Sequence, residues 1–499
     1  MCSSLPYATA LEKLLATADG QACQSGQAAR SENVSLSDSV GRVAGRDHGS
    51  LVSTPAFDSS AMDGYAVISA LTRTATPEYP VSFCLRGGVR AGEHKQPRPV
   101  AFSQGAPAED RDDLAPCVEV MTGAQFPVLL DIKGRSFDAC VKWEDTNTTT
   151  TTAAQNNNND ATAGATRTIT TVTLTRPVPA GANKRNAGED VQVGDIVLRA
   201  GETIRATHLM CLASVGLTSV AVSLRPRVGI WSTGDELLTK TASPVPDVNG
   251  PFLTVAAREA GAEACFLGTI PDDPQALGRE IRAALGTETE IGAATSPGGA
   301  SRWDILIASG GVSGGNYDFV RPVLLDLGAT IVFHGLAIRP GHPVLFATLP
   351  RERDAGVTAF FGLPGNPGAA AACFRFLVVP YIRQLRGQPQ EVPVPARLLP
   401  ASSITGASTT QRLCGEKKSN RHKNSLPKTV DRFCHGMLRR SSSSGNLVVT
   451  PSSEQSPAKL RPFSTANCWM HFKADSQDGD GTERHVECYP MSCRSDLVI

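Results

Sequence analysis

The sequence predicts an α/β fold class, in a multidomain chain whose central domain is a doubly wound parallel sheet. Three observations support this prediction. Apolar strand patterns alternate with helical patterns from Pro226 onward, glycine-rich turns follow several of those strands, and 499 residues are more than one hydrophobic core organises. The flanking regions lack this alternation and predict separate, smaller domains.

The central domain is expected over residues 226–387. Its predicted elements are strand Arg227–Ser232, helix Phe252–Ala260, strand Ala264–Ile270, helix Asp273–Leu285, strand Asp304–Ala308 and helix Phe319–Leu327. Strands Val344–Thr348 and Thr358–Phe361 follow, and then a long apolar helix ends near Gly387. Because strands joined by helices form parallel βαβ units, we expect helices on both faces of one sheet.

The regions outside the central domain have different patterns. Helical patterns over Pro6–Ala18 and Ala206–Leu217 flank short strand patterns that predict a small β domain. Thr146–Thr166 is almost entirely Thr, Asn and Ala, which bury little apolar area, so this segment is predicted to be a disordered insertion. Beyond Gln388, further short strand patterns predict a compact C-terminal β domain.

The composition restricts the class of partner. Lys and Arg balance Asp and Glu at 48 each, so neither nucleic acid nor an anionic membrane surface is an expected partner. No stretch approaches the ~18 apolar residues of a membrane span, and no signal sequence is visible, so a soluble cytoplasmic protein is expected. The 13 scattered cysteines include no C-x-x-C pair, which favours reduced thiols over a zinc site.

The most informative segment is the turn from Ser309 to Asp318, which directly follows an apolar strand. Ser313 adds a hydroxyl donor, and Asp318 lies where a hydrated cation could bridge it to a bound anion. The residues that allow positive φ, and so let backbone N–H groups converge on an anion, are Gly310, Gly311, Gly314 and Gly315. The turn predicts phosphate binding, with a merely tight connection as the simpler alternative.

Two further strand ends carry residues suited to anions. Thr233 and Glu236 follow the first strand of the central domain, in a sequence that also fits a simple helix N-cap. Strand Thr358–Phe361 is followed by Pro364, Gly365, Asn366 and Pro367, of which Pro367 fits a first helical turn whose following amides would point toward an anion. Since ligands bind outside the carboxyl ends of parallel strands, these three ends together predict one site.

A fourth element contains Arg339 and His342 on either side of a rigid Pro-Gly. Each residue, taken alone, is more often a surface or structural side chain than a ligand. Beside a polyanion site, Arg339 offers a planar fork that matches oxyanions, whereas His342 is positive only when it is protonated.

These segments occur, in this order, in the molybdenum insertase family, which the chain resembles over nearly its whole length. The family includes bacterial MoeA, the plant insertase E domain and the gephyrin E domain. Phe57–Val67 and Ser309–Asp318 are the most specific of the shared segments. The others are Met121–Ala124, Asn186–Asp190, Ser232–Leu237, Arg339–Pro343 and Leu363–Pro367.

The resemblance implies four domains and a homodimer. They are a split linker domain (1–54 and 182–225), an inserted β domain (55–181), a molybdopterin-binding α/β domain (226–387) and a C-terminal β-barrel-like domain (388–499). The implied activity is that of a molybdopterin molybdenumtransferase: adenylylated molybdopterin is cleaved, AMP is released, and molybdate is inserted with the help of Mg²⁺. The implied protein partners are a molybdopterin adenylyltransferase of the Mog or G-domain type and apo-molybdoenzymes.

Residue by residue, the resemblance implies catalytic carboxylates at Asp63, Asp190, Glu236 and Asp318. Glu236 and Asp318 are the implied Mg²⁺ ligands, and Asp63 and Asp190 are implied to come from the partner subunit. The implied molybdopterin-binding residues are Thr122, Thr233, Gly310, Gly311, Ser313, Gly314, Pro364, Gly365, Asn366 and Pro367.

The resemblance assigns molybdate to Arg339, His342, His435 and Ser456, and here the chain departs from its relatives. Many insertases have Lys-Pro-Gly-Lys-Pro and a C-terminal Phe-x-Arg-Gly, whereas this chain has His342 and His435 at two of those cationic positions. Two fixed charges become titratable, so the affinity for molybdate is expected to weaken as the pH rises through the histidine range near ~6.5.

Two other functions stay open on the sequence alone. A molybdopterin-binding or gephyrin-like scaffold protein without turnover is compatible with the altered cationic positions. An adenylyltransferase has a fold that resembles the α/β domain, but it lacks the Phe57–Val67 segment and the C-terminal segments seen here.

Overall fold

The computed structural model describes residues 4–24, 31–92, 114–128, 136–154, 166–238, 245–286, 303–312, 319–351, 356–399, 430–442, 444–474 and 484–492. The predicted site residues Ser313, Gly314 and Asp318 lie outside these ranges. Within them, the chain divides into two compact units. The larger unit contains residues 1–46, 199–205 and 219–499, and the smaller unit contains residues 47–198 and 206–218.

The described α-helices are α1 (Tyr7–Gln24), α2 (Leu36–Ser39), α3 (Ala206–Ser214), α4 (Asp235–Leu238), α5 (Asn249–Glu259), α6 (Pro274–Leu285), α7 (Val320–Asp326), α8 (Pro367–Cys373) and α9 (Val379–Leu385). A π-helical segment, Phe374–Val378, joins α8 to α9. No helix in the described ranges has both the length and the apolar character that crossing a membrane requires.

The strands of the first half are β1 (Ser31–Ser35), β2 (His48–Gly49), β3 (Ser59–Ser60), β4 (Gly64–Val67), β5 (Val81–Val89), β6 (Pro116–Val120), β7 (Ala139–Lys142), β8 (Asn147–Ala154), β9 (Thr166–Leu174), β10 (Lys184–Arg185), β11 (Ile196–Leu198) and β12 (Ser219–Ser223). Those of the second half are β13 (Arg227–Thr233), β14 (Glu263–Ile270), β15 (Ile305–Ser309), β16 (Thr330–His334), β17 (Ile338–Arg339), β18 (Leu345–Pro350), β19 (Val357–Leu363), β20 (Val394–Leu398), β21 (Asp431–Arg440), β22 (Leu447–Pro451), β23 (Cys468–Phe472) and β24 (His485–Pro490).

A six-stranded sheet forms the centre of the larger unit, with the strand order β14-β13-β15-β19-β18-β16. Strands β14, β13, β15 and β19 are parallel to one another. At one side β18 pairs antiparallel with β19, and β16 pairs antiparallel with β18, so only β18 runs against the others. The sheet confirms the predicted α/β domain. Its three adjacent strands β13, β15 and β19 place their carboxyl ends side by side.

Helices cover both faces of this sheet, as the sequence predicts. Alternate residues along β15 point to opposite faces, so Ile305 and Ile307 join one apolar cluster while Leu306 and Ala308 join another. The first cluster includes residues of α1, α5, α8 and α9, and the second includes residues of α6 and α7. The doubly wound arrangement is therefore built by strands that are apolar on both sides.

The C-terminal strands form a closed barrel. Strands β21, β22, β20, β24 and β23 pair in that order, and β23 pairs again with β21, which closes the ring. Strand β17 attaches to β21 in parallel, through Ile338 against Asp431 and Arg339 against Arg432. The barrel confirms the predicted C-terminal β domain. Strand β17, which contains Arg339, pairs with the barrel strand β21.

The smaller unit contains a six-stranded sheet with the order β7-β4-β6-β5-β9-β8. The prediction that Thr146–Thr166 is a disordered insertion is wrong for its first part. Asn147–Ala154 forms the edge strand β8 of this sheet and pairs with β9 over eight residues of each strand. Threonine is β-branched and fits a pleated strand without a large apolar side chain, as the paired hydroxyls of Thr150 and Thr170 illustrate. Residues 155–165 of the same segment lie outside the described ranges.

The glycine of the Phe57–Val67 segment has a packing role in this sheet. Gly64 begins β4, which lies between β6 and β7, and a Cβ atom added there would come within 2.0 Å of the Val141 carbonyl oxygen. The obstacle is main chain, so it cannot swing aside. We predict that Gly64→Ala lowers the free energy of unfolding by about 1–3 kcal/mol.

Urea unfolding followed by circular dichroism and tryptophan fluorescence measures this change. Gly20→Ala is the matched control, because Gly20 is exposed in helix α1 and an added Cβ meets nothing within 4 Å. The control is expected to raise stability by about 0.5–1 kcal/mol, since glycine disfavours a helix interior. Equal stability of the Gly64→Ala variant and the parent protein would contradict the packing argument.

Candidate functional site

Three neighbouring strand ends of the larger unit are joined by hydrogen bonds. The Thr233 hydroxyl, at the end of β13, donates to the Ser309 carbonyl oxygen at 3.3 Å. The Gly310 amide, just beyond β15, donates to the Leu363 carbonyl oxygen of β19 at 2.9 Å. The structure thus brings together Thr233, Gly310 and the Pro364–Pro367 turn, three of the predicted positions.

The contact between these turns requires glycine. Gly310 has φ of +112°, and a Cβ atom there would lie 2.3 Å from the Thr233 hydroxyl oxygen. Gly311 follows with φ of +65°. A Cβ on Gly365 would lie 3.7 Å from the Gly310 Cα, so the two turns are in van der Waals contact. Because the Gly310 amide is used within the fold, donors to a bound anion must come from Gly311 and the residues after it.

The third strand end leads directly into helix α8. Asn366 is its N-cap residue and Pro367 its first residue, as the sequence predicts. The amide of Gly368 does not face a ligand, because it donates to the Pro457 carbonyl oxygen at 2.8 Å. This bond places Ser456, the residue before Pro457, next to the start of α8. The amide of Ser456 donates to the Glu454 carboxylate at 3.0 Å.

A group of carboxylates lies beside the end of β13. Glu236 is exposed on α4, and its carboxylate lies over Gly234, where an added Cβ would be 2.5 Å from Oε2. Asp235 accepts a hydrogen bond from the amide of Asp272 at 3.0 Å. Burial, together with the charges of Asp235 and Glu236, raises the pKa of Asp272.

Asp272 is a site residue that sequence reasoning missed. The sequence there, Pro271-Asp-Asp-Pro274, was assigned only to a helix start, and Asp273 does cap α6 through Gln275 and Ala276. Asp272 comes two residues after β14, which is the neighbour of β13 in the sheet. The rule that ligands lie at the carboxyl ends of parallel strands could have identified it.

The segment of Arg339 and His342 is held in one conformation. The Leu336 carbonyl oxygen lies 2.6 Å from His342 Nδ1 and can only accept, so Nδ1 carries the proton and donates. The Leu336 amide donates back to the His342 carbonyl oxygen at 2.8 Å. Arg339 is exposed and forms no ion pair with another described residue. A fixed guanidinium and the Nε2 atom of His342 are therefore the groups that this segment offers to an anion.

His435 has surroundings that the sequence did not predict. It is only 4% exposed, its ring lies 4.4 Å from that of Phe463, and its Nδ1 is 2.9 Å from the Ser452 hydroxyl. Burial lowers the pKa of His435 to about 4. The imidazole is thus neutral at neutral pH, which corrects the expectation that His435 supplies a charge titrating near ~6.5.

The predicted residues of the smaller unit contact one another within that unit. The Thr122 amide and hydroxyl both donate to Asp63 Oδ1, at 2.7 and 3.0 Å. Asp190 is paired with Arg185, which also bonds Glu189 Oε1 at 2.9 Å. Sequence reasoning named the carboxylates and missed the cation beside Asp190.

A second cation of the smaller unit lies beside Asp58. Lys184 forms an ion pair with Asp58 Oδ2 at 2.7 Å, and the Ala187 amide donates to Oδ1 at 2.9 Å. These contacts, that of Lys184 above all, lower the pKa of Asp58. The Phe57–Val67 segment therefore contributes Asp58 and Asp63 as hydrogen-bond acceptors. In neither unit do three or more Cys, His, Asp or Glu of the described ranges form a group that could hold a metal ion.

Comparison with known proteins agrees with this geometry. Residues 5–216 match the family described as the MoeA N-terminal region (domains I and II), and residues 229–384 match the probable molybdopterin-binding domain family. The solved structure of the molybdopterin biosynthesis MoeA protein from Pyrococcus horikosii has a TM-score of 0.64 at 22% identity. It covers 98% of this chain and is itself covered completely, which shows a shared fold.

Two curated relatives are closer in sequence. The molybdopterin molybdenumtransferase 1 of Mycobacterium tuberculosis is 33% identical over 361 residues, which are 70% of this chain and 74% of the relative. The molybdopterin molybdenumtransferase of Synechococcus elongatus is 30% identical over 389 residues, which are 77% of this chain and 81% of the relative. The chain belongs to the molybdopterin molybdenumtransferase family, whose members share the MoeA fold.

Proposed function

We propose that this protein inserts molybdate into adenylylated molybdopterin and releases AMP, as a step of molybdenum cofactor biosynthesis. The observation that carries the proposal is the convergence of Thr233, Gly310 and Gly365 from three adjacent strand ends, beside the carboxylates of Glu236 and Asp272. Backbone amides and a hydroxyl suit a phosphate group, and carboxylates suit the cation that accompanies it.

Magnesium is the expected ion, and the side chains present fit it. Glu236 and Asp272 offer the oxygen ligands that Mg²⁺ prefers, and Asp318 is a further ligand that the family resemblance implies. Burial is the main cause of the raised pKa of Asp272, and the charges of Asp235 and Glu236, which a cation would offset, add to it. When bound, Mg²⁺ neutralises the charge that develops as the phosphoanhydride is cleaved.

The chain's own residues bind and orient the substrate. In the proposed reaction, water adds to phosphorus, the phosphoanhydride bond breaks and AMP leaves. Molybdate then binds the two dithiolene sulfurs, and one of its oxygens leaves as water with the two thiol protons. The Gly311 turn holds the phosphate next to Thr233, and the Asn366–Pro367 turn closes the other side. We further propose, on the resemblance alone, a homodimer in which the partner chain supplies its Asp63 and Asp190. Within one chain those carboxylates accept hydrogen bonds from Thr122 and Arg185.

Molybdate is a dianion and needs fixed charge or dense donors. Arg339 provides the fixed charge, His342 Nε2 a second polar atom, and the Ser456 hydroxyl a neutral donor next to the start of α8. His435 is neutral, so any contact that it makes with molybdate is a neutral hydrogen bond. Loss of this one charge is the observation that favours the alternative function, a molybdopterin-binding scaffold without turnover.

A direct assay tests the enzyme against the scaffold. Purified protein given adenylylated molybdopterin, Mg²⁺ and molybdate is expected to release AMP, and Glu236→Gln is expected to slow release roughly 10²-fold by removing a charge from the site. Glu263→Gln is the matched control, because Glu263 is exposed at the opposite end of the sheet, where β14 begins. Tight substrate binding without AMP release by the parent protein would favour the scaffold instead.

Arg339 is expected to set the affinity for molybdate. Arg339→Ala should raise the KM for molybdate by about 10–100-fold, because a hydrogen bond to a charged group contributes about 1.5–3 kcal/mol. Arg339→Lys keeps the charge and loses the planar fork, so its KM for molybdate should lie between those of the parent protein and Arg339→Ala. Steady-state cofactor formation at varied molybdate measures both variants, and an unchanged KM in Arg339→Ala would remove this residue from the molybdate site.

His435 is expected to titrate far below the ordinary histidine range. NMR of the imidazole protons, assigned with the His435→Gln variant, should show a midpoint at about 4. At pH values between about 4 and ~6.5, the unfolded chain binds a proton at His435 and the folded chain does not. The free energy of unfolding is therefore expected to decrease as the pH falls through this range. A midpoint near 6.5 would restore His435 as a cation for molybdate.

A further inference from the structure

Asn249 is the first residue of helix α5, and the sequence before it fixes where that helix begins. Asp247 Oδ1 accepts a hydrogen bond from the Gly250 amide at 3.0 Å, which satisfies one free N–H of the first turn. Pro251 follows in the same turn, where its missing N–H costs nothing. Asn249 is 8% exposed, so its side chain is held inside the larger unit.

The Asn249 side chain connects two of the three strand ends. Its Nδ2 atom donates to the Ser309 hydroxyl at 2.8 Å and to the Gly365 carbonyl oxygen at 2.8 Å. Ser309 in turn donates to the Pro364 carbonyl oxygen at 3.3 Å. Ser309 is the residue before Gly310, so one amide group spans the turn after β15 and the turn after β19.

Two polar atoms beside this bridge are buried and form no hydrogen bond in the described part of the chain. One is Asn249 Oδ1, and the other is the hydroxyl of Ser232, which is in register with Ser309 on the adjacent strand β13. Ser232 is 1% exposed. Buried polar atoms usually have partners, so two atoms without one next to the same bridge are polar groups that hydrogen bonding within the described fold does not account for.

We propose that Asn249 is a positioning residue that sets the spacing between the Gly310–Gly311 turn and the Pro364–Gly365 turn. The proposal rests on the proposed function for its catalytic consequence, because those turns hold the substrate phosphate. A helix cap alone needs no such bridge, since Asp247 already fills that role. Fixed donors cost no reorganisation when the substrate binds, and small displacements of a binding turn slow an enzyme strongly.

The test compares substitutions at Asn249 with a matched one on the same helix. Asn249→Asp keeps the size of the side chain and removes both donors, and Asn249→Ala removes the side chain. Thr254→Val is the control, because buried Thr254 only donates within the helix, to the Gly250 carbonyl oxygen at 2.7 Å. Thr254→Val measures what the loss of a buried polar contact in α5 costs without disturbing either turn.

The first measurement is independent of the reaction. Hydrogen–deuterium exchange of the parent protein without substrate should show a protected Gly310 amide, which donates to Leu363. In Asn249→Asp and Asn249→Ala this amide is expected to exchange on the order of tenfold faster, while Thr254→Val leaves it unchanged. Equal exchange in all of these proteins would overturn the bridging role.

The second measurement is AMP release from adenylylated molybdopterin. Both Asn249 variants should lose about 10–100-fold in kcat/KM, and Thr254→Val should stay within about twofold of the parent protein. If all three variants lose equally, Asn249 supports only the helix and the proposal is wrong. An inactive parent protein would instead contradict the proposed function, and the exchange measurement would still decide the role of Asn249. If Asn249→Ala does not fold, the isosteric Asn249→Asp variant is used alone for the hydrogen-exchange and AMP-release measurements.

Discussion

The close approach of three strand ends is the constraint on which the rest of the site depends. Parallel strands β13, β15 and β19 end side by side, but their turns can touch only because Gly310 has no side chain and adopts a positive φ. A Cβ there would collide with Thr233, so any other residue would push the turns apart. The bonds from Thr233 to Ser309 and from Gly310 to Leu363 then fix the spacing. The phosphate site that we propose depends on this packing before any charge is considered.

Charge is distributed unevenly around this packed centre, although the whole chain has a net charge of +0. Asp272, beside Asp235 and Glu236, forms an acidic side suited to a cation. On another side, Arg339 is a fixed positive charge, whereas burial keeps His435 neutral. Under the proposed function, the cation and the two anions would meet different surroundings within one unit. Recognition of both anions would then rest on local donors and not on a general electrostatic attraction.

Much of the fold was predictable because its signals are local in the sequence. Strand and helix patterns alternate over residues 226–387, and this periodicity alone indicates the parallel sheet. The strand of Asn147–Ala154 was not predicted because the composition shows only that a threonine run buries little apolar surface. It does not show that a neighbouring strand, here β9, pairs with the run. The barrel was predictable as a β domain, whereas its closure depends on the pairing of β21 with β23, which are distant in the sequence.

The site was predictable in its residue types and less so in their states. Glycine turns and carboxylates at strand ends can be recognised in the sequence. Burial and distant partners, which the sequence does not show, determine the neutral state of His435, the bridge made by Asn249 and the raised pKa of Asp272. The most direct test of the central claim is a crystal structure of the protein with AMP and Mg²⁺. The account predicts the phosphate between the Gly311 amide and the Gly365 turn, beside Thr233; a phosphate bound elsewhere on the chain would contradict it.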